Sequence, residues 1–197
     1  MKLRVSRVRE ESQGVRSFEL RALEGEALPP FTAGAHLTFS LPLGDGALVE
    51  RNYSIVSDPA DSERYEIAVL LDPEGRGGSR YMHEAVAEDD VLEVSPPLND
   101  FRLVEGAERS ILIAGGIGIT PILAMLRTLV ASGADTEVHY AAATPERLAY
   151  RDDVVELAGD RAVCYTGGRS SETGMDLRRV LGNPGRERTS TLVARVA

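Results

Sequence analysis

The sequence predicts a β + α/β protein: a small antiparallel β-barrel or sandwich, followed by a parallel sheet with helices on its faces. Two observations carry this. The first hundred residues break into short segments of mixed apolar and polar residues, separated by Gly, Pro and Asp turns. After Phe101, short continuous apolar runs alternate with helix-length stretches, the pattern of a parallel sheet buried on both faces.

Taken in order, VRSFEL, HLTFSL, LVERNYSIV, YEIAVLL and DVLEVSPP are the expected strands. LPPFTAG, LGDG, SDPADS and DPEGRGG are the turns between them, and a helical patch over 79–86 interrupts the series. In the second half, SILIAGG is an apolar strand followed by a helix over 121–131. TEVHYAAA precedes the helical PERLAYRDDVVELAG, and RAVCYTGG precedes MDLRRVLG. The change of pattern near 103–110 divides the chain into 1–104 and 105–197.

Composition narrows the function. A 197-residue chain with 43% hydrophobic and 27% charged residues is an ordinary globular protein. No run reaches the ~18 apolar residues of a membrane span, and the charged N-terminus lacks a signal-peptide core, so a cytoplasmic location is expected. A net charge of −9 argues against nucleic acid, whose phosphates need a basic face. One cysteine, Cys164, and three scattered histidines leave no material for a disulfide framework, a cysteine-held cluster or a metal site. Any redox chemistry must therefore come from an organic cofactor.

Three segments suggest where it binds. Ile111 to Pro121 runs from an apolar strand through Gly115, Gly116 and Gly118 to Thr120 and Pro121, placed as N-cap and first helical residue. Glycines allow close backbone approach and a helix start presents free N–H groups, which suits a phosphate; a ligand-free tight turn fits the spacing equally. Pro121 stands where the third glycine of G-x-G-x-x-G would be, so this is not the dinucleotide fingerprint. Gly75-Arg76-Gly77-Gly78-Ser79 leads into a helix that Ser79 would cap, with Arg80 nearby; it reads as an anion loop or a flexible surface loop. Arg51-Asn52-Tyr53-Ser54 lies on a strand and offers a ring, a hydroxyl and a guanidinium to a flat heterocycle, unless Tyr53 simply packs in the core. His83 reads as an exposed helix residue, His139 as an ordinary strand residue and Cys164 as a buried thiol.

In this order the three segments resemble the ferredoxin–NADP reductase superfamily, in the branch of phthalate dioxygenase reductase and the vanillate demethylase oxidoreductase subunit. FTAGAHLTF before the flavin strand, PPLNDFRL at the domain junction and HYAAATPERLAYRDDV after the nucleotide loop also fit in order, and the resemblance covers roughly residues 5–185. It implies a six-stranded flavin-binding barrel and an NADH-binding α/β domain, with FMN the usual flavin of the branch and FAD the alternative. It assigns flavin contacts to Arg51, Asn52, Tyr53, Ser54, Ala68, Val69, Gly75, Gly77, Gly78 and Ser79, although Asn52 stands where Thr is commoner. Gly115, Gly116, Gly118, Thr120 and Pro121 match the nicotinamide nucleotide loop. Arg147 follows the second strand, where Glu146 would repel a 2′-phosphate and so favours NADH over NADPH. No catalytic acid or base is expected, because hydride transfer to flavin needs positioning rather than proton movement. The implied partner is an iron–sulfur acceptor or oxygenase component. Relatives usually add a 2Fe-2S domain, which nothing in these residues matches.

The resemblance fails after Asn183-Pro184-Gly185, where a strand ending in Cys-Gly-Pro is expected and Arg186 to Ala197 stands instead. One coding of Arg188 to Ala197, read from the third base, gives His-Leu-Tyr-Pro-Cys-Gly-Pro-Gly-Gly. The expectation is a frameshift that truncates a longer reductase, with a flavin-binding module of impaired NADH oxidation as the alternative activity. Its first parallel strand would then lack its usual neighbour. TSTLVARV would fill that edge, or a second copy would cover it in a homodimer.

Overall fold

The computed structural model describes residues 1–43, 47–104, 106–167, 174–181 and 189–195, the side chains of 47 and 189–195 excepted. Six antiparallel strands come first: β1 (Lys2–Ser12), β2 (Val15–Ala22), β3 (His36–Leu43), β4 (Ala47–Ser54), β5 (Tyr65–Leu70) and β6 (Val91–Glu93). They form a four-stranded sheet in the order β5-β2-β1-β6 and a β3-β4 hairpin. Bridges from Phe39 to Val94, His36 to Leu98 and Ile55 to Ile67 join hairpin and sheet around one core. Inward residues of both sheets fill that core: Leu3, Val5, Phe18, Leu20, Leu37, Phe39, Leu41 and Ile67 are all buried. Tyr65 packs edge-on against Phe31, with centroids 5.5 Å apart.

β1 was not among the strands expected. Only Leu3 and Val5 are buried along it, and beyond them nearly every second residue is charged, so the alternation fades from view. Its pairing with β2 over the whole length makes it a strand all the same.

The second half contains β7 (Arg109–Gly115), α2 (Ile119–Ala131), β8 (Asp135–Ala142), α3 (Arg151–Ala158), β9 (Ala162–Thr166), α4 (Leu177–Leu181) and β10 (Thr189–Arg195); α1 (Gly78–Glu84) belongs to the first half. The sheet is parallel, in the order β10-β7-β8-β9. α2 and α3 bury Leu112, Val138 and Tyr140 on one face, and this core continues into Val15, Ala33, Val56 and Ala68 of the first half. β10 runs along β7 in register from Thr189–Arg109 to Arg195–Gly115. The edge of β7 is thus filled within the chain, as one of the two expectations had it, and is not left for a second copy.

The stretch 145–159 departs from the continuous helix expected. Pro145–Arg147 form one 3-10 turn, Leu148–Tyr150 leave helical geometry, and only then does α3 begin. Burial of Leu148, Ala149 and Tyr150 against the first half outweighs local helix propensity here.

Candidate functional site

Two of the three suggested segments meet. The Arg51 guanidinium donates to the Arg76 carbonyl at 3.0 Å and to the Glu50 carbonyl at 2.7 Å, so β4 is stapled to the glycine loop before α1. A Cβ on Gly78 would come within 2.7 Å of the Arg51 side chain; only glycine allows the guanidinium to lie so close to this backbone. Gly77 has φ +83° and is the N-cap of α1. Ser79 is therefore not the cap. It lies in the first turn, and its hydroxyl accepts the Asp72 N–H at 3.0 Å, which ties down the loop containing Gly75. The backbone N–H groups that start α1 and a guanidinium converge there, a donor set suited to a phosphate.

On β4, Arg51 and Tyr53 sit opposite Phe39 and Leu37, on the side of the hairpin that faces the core. Tyr53 packs edge-on to Phe39 at 5.4 Å, and burial pushes its phenol up to about 12, Arg51 opposing weakly. Asn52 and Ser54 face the other way, Asn52 exposed and Ser54 half-buried. On β5, Ala68 is buried in the core shared with the second half, and Val69 points into the barrel. His83 is not an exposed residue: it is half-buried, with Nε2 bonded to the Val69 carbonyl at 2.8 Å.

The third segment leaves β7 at Gly115, turns through Gly116–Gly118 in 3-10 geometry and enters α2 at Ile119. The cap is Gly118, not Thr120. Thr120 is already helical and donates its hydroxyl to the Ile117 carbonyl at 3.0 Å; Pro121 follows, still in the first turn, where its missing N–H costs nothing. Gly116 has φ +53°, and a Cβ on either Gly115 or Gly116 would point into open space. Beside this turn lies a cavity of about 320 Å³. Gly116, Ile117, Ala142 and Arg147 line it from the second half, and Gln13, Val15 and Leu70 from the first. The last three went unnoticed in the sequence: they lie at the β1–β2 turn and at the end of β5, and only folding sets them beside the glycine turn.

The sequence matches the oxidoreductase FAD-binding domain over residues 2–103, just over half of the chain. The chain belongs to this oxidoreductase family. Residues 112–174 match the oxidoreductase NAD-binding domain. This oxidoreductase is 45% identical over 176 residues to the vanillate O-demethylase oxidoreductase of Pseudomonas putida, covering 89% of this chain and 54% of the relative. It is 46% identical over 154 residues to the phthalate 4,5-dioxygenase oxygenase reductase subunit of the same species, covering 78% and 46%. The solved structure of a phthalate dioxygenase reductase, described as modular for electron transfer from pyridine nucleotides to 2Fe-2S, superposes with a TM-score of 0.86 at 33% identity. That superposition covers 98% of this chain and 59% of the other. The chain spans about half the length of the curated relatives it matches.

A second cavity of the oxidoreductase, about 680 Å³, lies elsewhere, beside α4. His139 is buried there, with Nε2 at 2.6 Å from Glu137 and Nδ1 at 2.9 Å from the Tyr165 hydroxyl. Burial raises Glu137, but hydrogen bonds from Arg109 and His139 outweigh it and hold the carboxyl below its ordinary range. Cys164 is half-buried, and burial raises its thiol. Among the described residues no group of His, Cys, Asp and Glu could hold a metal ion, and no helix is long and apolar enough to cross a membrane.

Proposed function

We propose that this chain is the flavin- and NADH-binding part of a cytoplasmic electron-transfer reductase, divided into a barrel over 1–104 and a nucleotide-binding unit over 105–197. The observation that carries this is the cavity between the halves, which Gly116 of the glycine turn lines together with Val15 and Leu70 of the barrel. A nicotinamide beside the glycine turn would there meet a ring bound along the barrel strands. Arg51 and the N–H groups around Gly77, Gly78 and Ser79 would hold the flavin phosphate, with Gly75 in the loop tied to Asp72. Asn52, Tyr53, Ser54, Ala68 and Val69 would supply the contacts to the ring, the buried Val69 through its backbone. Gly115, Gly116 and Gly118 would let the pyrophosphate approach the start of α2, Thr120 and Pro121 would fix that turn, and Arg147 would reach the ribose side.

Bound flavin supplies a hydride acceptor and an outlet for single electrons. The chain's own groups bind, orient and exclude water, and none of them needs to move a proton. We take the flavin as FMN and the nucleotide as NADH, and the electron acceptor as an iron–sulfur or oxygenase component, the last in line with a solved relative described as passing electrons from pyridine nucleotides to 2Fe-2S. Self-association through the β7 edge is not part of the proposal, because β10 already pairs there. Denaturing the purified protein and weighing the released cofactor tests the flavin: the mass of FMN is expected. The mass of FAD corrects the cofactor, and a colourless protein that takes up neither flavin overturns the reading.

A further inference from the structure

The chain between β8 and α3 breaks its helix in order to reach the other half of the molecule. Tyr150 adopts φ 56°, ψ 23°, a left-handed backbone that bulky L-residues rarely take. The break carries Leu148, Ala149 and Tyr150 into the apolar core shared by the two halves. Within it the Tyr150 hydroxyl donates to Glu66 Oε1 on β5 at 2.8 Å. Glu66 is buried, and from its own half it meets Arg9 at 3.3 Å and Arg64 at 3.7 Å. Glu11 and Ser17 stand beside the phenol. Burial raises the pKa of both partners, Tyr150 well above the ordinary phenol range, so the shared proton stays on the tyrosine oxygen.

We propose that the Tyr150–Glu66 pair is a positioning device that fixes the angle between the nucleotide-binding half and the flavin-binding half, and with it the alignment for hydride transfer. The inference rests on the function proposed above. Apolar contact holds two surfaces together but is non-directional, so by itself it tolerates sliding. A buried bond from a phenol to a carboxylate is directional. A slid interface would take the buried Tyr150 hydroxyl off its carboxylate partner and leave Glu66 with only Arg9 and Arg64, which penalises departures from the observed alignment. The pair also lies where a small rotation matters. β5 leads from Glu66 to Leu70, and Tyr150 follows Arg147 by three residues; Leu70 and Arg147 both line the cavity. Hydride transfer depends steeply on such alignment. The left-handed backbone at Tyr150 fits this role: strain persists where a side chain must reach a particular partner.

The test uses Tyr150→Phe, which keeps the ring and removes the hydroxyl, and Glu66→Gln, whose amide oxygen still accepts the phenol proton. The Gln13 N–H, bonded to the Glu146 carbonyl at 2.9 Å, reports opening between the halves. In Tyr150→Phe its hydrogen exchange should speed roughly tenfold or more, as expected for losing a bond to a charged group, while the Phe18 amide inside the barrel is unchanged. Anaerobic flavin reduction at saturating NADH should slow about tenfold, with KM within about twofold. Glu66→Gln should stay within about threefold of wild type in both measurements. Wild-type exchange at Gln13 in Tyr150→Phe overturns the proposal, as does Glu66→Gln losing as much as Tyr150→Phe. Hydrogen exchange needs no turnover, so it tests the pair even in a chain that does not oxidise NADH.

Discussion

Replacing Gly34 by alanine probes how the barrel is joined to the residues that follow it. Gly34 has φ +94°, and a Cβ built there falls on the Phe101 carbonyl oxygen and lies 2.9 Å from Met125 Cε. The methionine end can retreat; the carbonyl cannot, because Asn99 clamps both sides of the contact. Its Nδ2 donates to the Thr32 and Ala33 carbonyls and to Thr32 Oγ1, while its Oδ1 accepts the Phe101 N–H at 3.0 Å. The left-handed backbone costs a residue with a Cβ ~1–2 kcal/mol, and overpacking a fixed site adds ~1–3 kcal/mol. A loss of about 2–5 kcal/mol follows, a large share of the ~5–15 kcal/mol that holds a typical domain. Urea unfolding followed by circular dichroism should show a lower midpoint with an unchanged slope. Gly25→Ala is the control: at φ +80° with nothing within 4 Å, it meets only the backbone cost. If Gly34→Ala is no less stable than Gly25→Ala, the close approach to Phe101 does not restrain the chain and the reasoning fails.

Three further outcomes follow from the same structure. Burial raises Glu19, but hydrogen bonds from Ser6, Arg21 and Arg64 outweigh it and hold the carboxyl at about 2. Its folded pKa is thus depressed, and its contribution is full above the ordinary value of 4.5 and fades as pH falls towards 2. Glu19→Gln should therefore lose roughly 2 kcal/mol of stability at neutral pH, and denaturant curves for the two proteins should converge in acid. Leu112, fully buried at the centre of β7, should cost ~2–5 kcal/mol on truncation to alanine, read as a lowered melting temperature. Arg51→Ala should weaken flavin binding by about tenfold or more, measured by titrating flavin-free protein, and the difference should shrink at high salt.

The fold was legible where burial is regular. β7 and β8 are apolar runs because both faces of an inner parallel strand are largely covered, β9 at the sheet edge is only half-buried, and α2 shows its apolar face plainly. β1 was hidden because beyond Val5 its charged residues are exposed or half-buried, while its backbone goes on pairing with β2 to Ser12. Both caps lie two residues before the expected ones because Gly77 and Gly118 begin their helices by backbone conformation, with no side-chain bond to reveal them. The break at Tyr150 could not be read locally at all, since the surface that buries Leu148, Ala149 and Tyr150 belongs to the first half, where Glu66, the partner of Tyr150, lies eighty-four residues away. The same holds for Gln13 and Leu70 at the cavity. Motifs show the residues that a ligand would touch from one segment; walls supplied by a distant turn carry no local signature.

The most direct test of the account is anaerobic mixing of the flavin-loaded protein with NADH while the visible flavin band is followed. The structure sets the glycine turn against the end of the barrel strand across one cavity. The account therefore predicts prompt bleaching, with colour restored on admitting an electron acceptor. A protein that binds flavin tightly and stays yellow in excess NADH contradicts it, and leaves the chain a flavin-binding module without the reductase reaction.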